Sequence, residues 1–414
     1  MLFAGKNNMP KLLWVSPLSV HDTSNNSATQ MRNMLLSLKA RDVEIVGLSA
    51  LNFLHESGTS MFTDLDEKLK GEDISFNLKD NNITFIYIRT KSRKLGDMIS
   101  QEQRNFYAKF CAIINAFRPD VVMGTGSDML SMVCFDEAHR RGIPTVYTLL
   151  DGTPERFNFP NIDVVITDSN ATSHLYATNR KINSVVVGSF IPVVAHTDSE
   201  AKVERKRITM VNPSINKGLG IFLRLAQLQG KELKNTKFTV CETYEGQFLE
   251  QAALIHEANS DKAAFDDKFL KSIEVLPPNS NLSEVLKESK ALLVPSLSFE
   301  STVNIAREAI AHGTPVLGTN QTGIAESIGD AGVLVEIPPA LLANPNEVIS
   351  VENMTNFVKG LDLVLNNDFT ERCLNVTKRH DINFSANRLA TILKPLFDKR
   401  AGNNPQLLRN GSLI

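Results

Sequence analysis

Short apolar runs alternate with amphipathic stretches along the whole chain. In the first half the runs that predict buried strands are Lys11–Val15, Val43–Leu48, Ile83–Ile88, Val121–Gly124, Thr145–Leu149, Val164–Thr167 and Ser184–Val187. Between them, Ala28–Ala40 and Gln103–Phe117 carry helix-like periodicity. The polar stretch His196–Arg207 (HTDSEAKVERKR) then interrupts the pattern and reads as an interdomain linker. Alternation restarts with strand Ile208–Val211, helix Gly220–Gln229, strand Phe238–Glu242, helix Gln247–Asn259, strand Ile273–Leu276, helix Leu282–Ser289 and strand Ala291–Pro295. A helix at about Val303–His312, strand Thr314–Gly318, a short helix near Ala325 and strand Gly332–Ile337 come next, and Met354–Phe397 is mainly helical.

Such alternation predicts mostly parallel, doubly wound sheets covered on both faces. The expected architecture is therefore α/β, with two Rossmann-like domains facing one another across a cleft. The domains are expected over 1–195 and 208–380, joined by a linker over 196–207, with a helical segment over 381–414 available to pack back on the first. In such sheets ligands sit at the carboxyl ends of the strands, which makes the cleft the expected site.

Composition narrows the function classes. The chain has 414 residues, beyond the roughly 250–300 at which single cores stop growing. Its 44 Lys and Arg against 46 Asp and Glu give a net charge of −2, a balance that argues against nucleic acid as the main partner. Cys111, Cys134, Cys241 and Cys373 are widely spaced and have no nearby His at ligand spacing. They read as thiols of a reducing compartment, not as a disulfide frame or a zinc site. There is no signal-peptide pattern and no run of about 18 apolar residues, so a cytoplasmic protein is expected. The basic cluster Arg89, Lys91, Arg93 and Lys94 offers a contact for lipid-linked phosphates or the inner face of a membrane, although an exposed loop explains it equally.

The chemistry concentrates in Leu292–Glu326, LLVPSLSFESTVNIAREAIAHGTPVLGTNQTGIAE. A buried strand ends at Pro295 and a loop comes after it. A helix then starts after Ser301, read as its N-cap, and stops at Gly313. Glu300 falls in the loop and Glu308 about two turns inside the helix. The backbone N–H groups of Thr302 and Val303 would then be free, as a phosphate site at a helix start requires.

The order strand, proline, loop, Glu300, helix, Glu308, Gly313-x-Pro315-Val316, strand resembles the retaining glycosyltransferases of family 4, which have the GT-B fold. The likeness continues through Gly323 and Glu326 and through Ala331–Val335. The resemblance implies a metal-independent transferase without a cofactor, moving a sugar from a nucleotide-sugar donor to a glycan or lipid-linked acceptor. It implies Glu300 on the donor sugar, Glu308 on the ribose, and Lys217 with Ser301, Thr302 and Val303 on the diphosphate. Glu300 and Lys217 would be the catalytic pair. Many relatives carry arginine five residues before the lysine, where this chain has Asn212. They commonly read Tyr-Thr-Leu-His-Asp where this chain has Tyr147-Thr148-Leu149-Leu150-Asp151, so the histidine position is Leu150. The resemblance leaves three explanations open: a donor lacking a 6-hydroxyl, such as a 6-deoxy sugar; another residue in that role; or loss of catalysis.

In the first βα loop, Asn25 and Asn26 stand where relatives often have a glycine pair, and acceptor contact competes with plain loop chemistry and an N-cap at Ser27. His21, Leu150 and Asp151 complete the expected acceptor side. Asp64-Leu65-Asp66 reads as a solvated charge run, and no metal is expected. A non-catalytic transferase-like partner subunit is the alternative reading, and a nucleotide-sugar epimerase would need an acid/base set that is not evident. The oligomeric state is not legible in the sequence.

Overall fold

The computed structural model describes residues 9–70, 73–94, 96–150, 161–193, 203–230, 232–233 and 235–400. The chain divides into two compact units: Met1–Ile191 with Ile382–Ile414, and Pro192–Asp381.

The first unit is built on β1 (Lys11–Val15), β2 (Glu44–Ala50), β3 (Ser75–Asp80), β4 (Ile83–Ile88), β5 (Val121–Gly124), β6 (Thr145–Leu149), β7 (Val164–Thr167) and β8 (Val185–Val186). Their order across the sheet is β3-β4-β2-β1-β5-β6-β7-β8, and every pair is parallel except β3 with β4. Burial on both faces explains the continuous apolar runs: Leu12 and Trp14 enter one core cluster while Leu13 and Val15 enter the other. Helix Ile382–Arg400 belongs to this unit, and its Ala386, Leu389 and Leu393 pack into the cluster around Trp14 and Phe85. β3 is absent from the sequence reading because edge position leaves it half-exposed and polar, SFNLKD. It joins β4 through Asn81 and Asn82, both at positive φ as a two-residue hairpin turn requires.

The second unit holds β9 (Arg207–Val211), β10 (Lys237–Cys241), β11 (Glu274–Leu276), β12 (Ser289–Val294), β13 (Val316–Thr319) and β14 (Gly332–Val335). The order is β11-β10-β9-β12-β13-β14, all parallel. Counted within the unit this is 3-2-1-4-5-6, the nucleotide-binding order, with its reversal between β9 and β12. The fold is thus α/β with two Rossmann-like, parallel-sheet units.

Several boundaries differ from expectation. The helix expected over Gln247–Asn259 stops at Ala253, because Ile255 turns into the core and His256 pairs by backbone hydrogen bonds with residues around Glu347. The linker expected to run to Arg207 ends sooner. Arg205 donates to the carbonyls of Ser289 and His312 and to the Thr314 hydroxyl, while Arg207 opens β9 and pairs with Glu274 and Glu288. Among the described residues no helix is long and apolar enough to cross a membrane.

Candidate functional site

The reversal between β9 and β12 brings together two of the residues singled out by sequence, Lys217 and Glu300. β9 ends at Val211, and the chain turns through Asn212 into a short 3-10 turn, Ile215–Lys217, ahead of helix Leu219–Gln229. β12 ends at Val294 and leads into the loop that carries Glu300. The two loops are knitted together: the Asn216 carbonyl accepts from the backbone N–H of Leu297 at 2.8 Å and from the Ser296 hydroxyl at 3.3 Å. Two glycines permit this closeness. Gly218 has φ +86°, and a Cβ there would lie 1.9 Å from the Pro295 carbonyl oxygen. A Cβ on Gly323, at the start of helix Thr322–Ile328, would lie 1.8 Å from the Glu300 carbonyl oxygen.

On that frame the Lys217 ammonium and the Glu300 carboxylate form a direct ion pair. The Ser296 hydroxyl donates to the same carboxylate at 2.7 Å. Lys217 keeps 36% of its side-chain surface exposed against 14% for Glu300, so the cation is the open member of the pair. Glu308, in helix Asn304–Ala311, is half-buried, and burial raises its pKa. Among the described residues its carboxylate has no hydrogen-bond partner.

Other expectations change. The helix N-cap is Val303, not Ser301, and no side chain caps it. The Val303 N–H is not free for phosphate, because it donates to the Ser327 hydroxyl at 2.9 Å. Ser327 in turn donates to the Gly323 carbonyl within helix Thr322–Ile328, so one buried hydroxyl ties the start of helix Asn304–Ala311 to that helix. Ser301 and Thr302 are half-buried, and with the Val303 N–H engaged the two free amides expected at this helix start are not both available. Asn212 stands at φ +60°, a conformation asparagine tolerates well, and its side-chain oxygen accepts from Gln247 at 2.6 Å. Its side-chain oxygen is thus tied to helix Gln247–Ala253.

In the first unit, His21 is buried to 1% exposure among Phe62, Phe85 and Tyr87. One ring nitrogen lies 2.6 Å from the Tyr87 hydroxyl and the other 3.2 Å from Asp80. Burial, partly offset by Asp80, lowers its pKa to about 4, so the ring is neutral near pH 7. It is a core residue and not an acceptor contact. Leu150 is likewise buried in the core, so its side chain is not presented to a sugar. Asn25 is the N-cap of helix Asn26–Lys39 and accepts from the Ser27 N–H, which corrects the cap expected at Ser27; Asn26 is exposed on the first turn. Asp151 lies outside the described residues. Asp64 is exposed ahead of the short helix Leu65–Lys68, and among the described residues no group of three or more His, Cys, Asp or Glu side chains could hold a metal.

Residues 206–350 match the family model for glycosyl transferases, group 1. That segment runs from the last residue before β9 to beyond β14 and contains Lys217, Glu300 and Glu308. Solved structures share the architecture over nearly the whole chain. A glycosyltransferase from Rickettsia africae has a TM-score of 0.58 at 16% identity, over 94% of this chain and 99% of that one. The pneumococcal O-GlcNAc transferase GtfA, solved with UDP and GlcNAc, gives 0.62 at 10% identity, over 94% and 99%. A protein described as a putative UDP-N-acetylglucosamine 2-epimerase, from Listeria monocytogenes, gives 0.51 at 13% identity, over 98% and 100%. These likenesses place the fold as GT-B. Among curated proteins none matches the chain in sequence.

Proposed function

We propose that the protein is a nucleotide-sugar-dependent, retaining glycosyltransferase that works without a metal and passes a sugar to a glycan or glycolipid acceptor. One observation carries this reading: a lysine and a glutamate 83 residues apart in sequence converge at the sheet reversal, inside the segment that resembles glycosyl transferases. Lys217 would exchange its bond to Glu300 for the donor diphosphate and stabilise the charge that develops there as the glycosidic bond breaks. Glu300, released from the lysine, would accept hydrogen bonds from sugar hydroxyls, with Ser296 holding its carboxylate in place. Glu308 would accept from the ribose diol, a pair of donors for a carboxylate that lacks any among the described residues. The departing diphosphate would help deprotonate the acceptor hydroxyl on the same face. Asn212 supplies no charge, so Lys217 is the principal cation for the leaving group.

The test is incubation of the purified chain with a panel of nucleotide-sugars, monitoring nucleoside diphosphate release. Slow release that disappears in Lys217→Ala is the expected result. A non-catalytic partner subunit would release none, and an epimerase would change the recovered sugar.

A further inference from the structure

The last pair in the β12–β13 ladder is Val294 with Gly318. Beyond it two side chains from the end of β13 take over from the backbone, and both converge on one atom, the Ser296 carbonyl oxygen. The Thr319 hydroxyl donates to it at 2.7 Å and the Gln321 side-chain amide at 2.6 Å. Two donors fill both lone pairs of a carbonyl oxygen. The Gln321 backbone N–H turns back onto the Thr319 carbonyl at 2.8 Å, so the side chain and not the backbone of this residue meets Ser296. Ser296 and Thr319 are buried, at 1% and 0% exposure, where hydrogen bonds are strengthened by the low dielectric. Gln321 is half-buried.

The peptide group held in this way reaches both members of the charged pair. Its N–H belongs to Leu297 and donates to the carbonyl of Asn216, the residue before Lys217, at 2.8 Å. The hydroxyl of Ser296 itself donates to the Glu300 carboxylate at 2.7 Å. One rigid plane therefore has the end of β13 on its carbonyl edge and the Lys217 turn on its amide edge, with Glu300 on the adjoining side chain. The Lys217 turn is also closed by its own backbone, Lys217 N–H to the Ser214 carbonyl at 3.0 Å and Gly218 N–H to the Ile215 carbonyl at 2.8 Å. Loosening the plane would thus act mainly on the Glu300 side, by carrying the Ser296 hydroxyl away from the carboxylate. Among the described residues no hydrogen bond joins Thr319 or Gln321 to Lys217 or Glu300, so their influence on the pair passes through Ser296.

We propose, resting on the transfer reading above, that Thr319 and Gln321 are positioning residues for the transfer step. Through the Ser296–Leu297 peptide they hold the Glu300 carboxylate where the donor sugar must meet it. A nucleoside diphosphate, which lacks the sugar, binds equally well without them. None of the comparisons assigns a role to either residue.

The probes are UDP-glucose, ADP-glucose, dTDP-glucose and GDP-mannose for nucleoside diphosphate release, and UDP, ADP, dTDP and GDP for binding by calorimetry, all with the full chain. Thr319→Val keeps nearly the same shape and removes the hydroxyl. Gln321→Glu keeps the shape and turns a donor into an acceptor facing a carbonyl. Each should lower the release rate about ten- to hundredfold while nucleoside diphosphate affinity stays within about twofold. Thr319→Ser, which restores the donor, should return release to within about threefold of the unaltered chain. Ser296→Ala should itself slow release, and in that background Thr319→Val and Gln321→Glu should cost no more than about twofold further, since both act through the lost hydroxyl. Thermal melting accompanies each variant, and Gln321→Glu, at the half-buried position, is read if Thr319→Val does not fold. Undiminished release in both variants, a loss of affinity as large as the loss of rate, or an undiminished loss in the Ser296→Ala background overturns this assignment and leaves the transfer reading standing. No release by the unaltered chain removes the transfer reading and this assignment with it.

Discussion

At the carboxyl ends of β9 and β12 the loops are drawn so tight that two glycines sit against carbonyl oxygens, and a lysine–glutamate pair emerges there. At the carboxyl ends of β1 and β5 the loops stand apart and enclose a largely apolar cavity, with the Asn52 side-chain oxygen lacking a hydrogen-bond partner among the described residues. The sheets obey the same winding rule and reverse at equivalent places. They differ in the loops that leave their strands. Short glycine-bearing turns pack charge against charge in Pro192–Asp381, whereas methionine-bearing loops leave room in the first unit. Sheet topology thus chooses the place of a site, and loop composition chooses its chemistry.

The contrast is broken most sharply at the charged pair. Lys217→Ala should lower turnover about 10²–10³-fold with the fold intact, as expected when a main source of transition-state charge stabilisation is removed. The check is nucleoside diphosphate release alongside thermal melting. Glu300→Gln should also lower turnover, though by less, since Gln still accepts from sugar hydroxyls.

Tight packing of the loops is tested at Gly323. Gly323→Ala places a methyl against the Glu300 carbonyl and should destabilise the protein by about 1–3 kcal/mol, with weaker nucleotide binding. Ser327→Ala should cost about 1–3 kcal/mol by leaving the Val303 N–H buried without a partner, readable in a denaturant titration.

Acid should weaken both units by the same route. His21 in the first and His380 in the second both have pKa values lowered to about 4, chiefly by burial. An unfolded histidine titrates near 6.5, so between those values the unfolded chain binds the extra proton. Stability is full above about pH 6.5 and is lost as pH falls toward 4, by up to about 3 kcal/mol per histidine. His21→Gln should remove its share of the pH slope in melting curves. The smallest effect on turnover is expected at Glu308: Glu308→Gln should weaken donor affinity by about tenfold or less while leaving maximal turnover nearly unchanged.

Much of the fold could be read along the chain because parallel strands buried on both faces must be continuously apolar. Lys11–Val15, Ile83–Ile88, Val121–Gly124, Thr145–Leu149 and Val164–Thr167 are strands over the same residues in the sequence reading and the structure. β3 escaped because an edge strand has one partner and can remain polar. Lys217, Glu300 and Glu308 stood out by spacing and context, and the structure brings the first two into contact. His21 shows the limit: a histidine in a polar loop looks available, yet Tyr87 and Phe85, more than 60 residues away, enclose it.

By itself, then, the sequence determined the alternation of strand and helix, the reversal-prone α/β class and the residues able to carry charge, since all of these are local consequences of side-chain type and period. Only the tertiary structure decided that Ser327 takes the Val303 N–H, that Asn212 is held by Gln247, and that the buried Asn52 oxygen has no partner among the described residues. Those outcomes depend on which distant strands become neighbours, and hydrogen bonds that close across such neighbours leave no periodic trace in the chain.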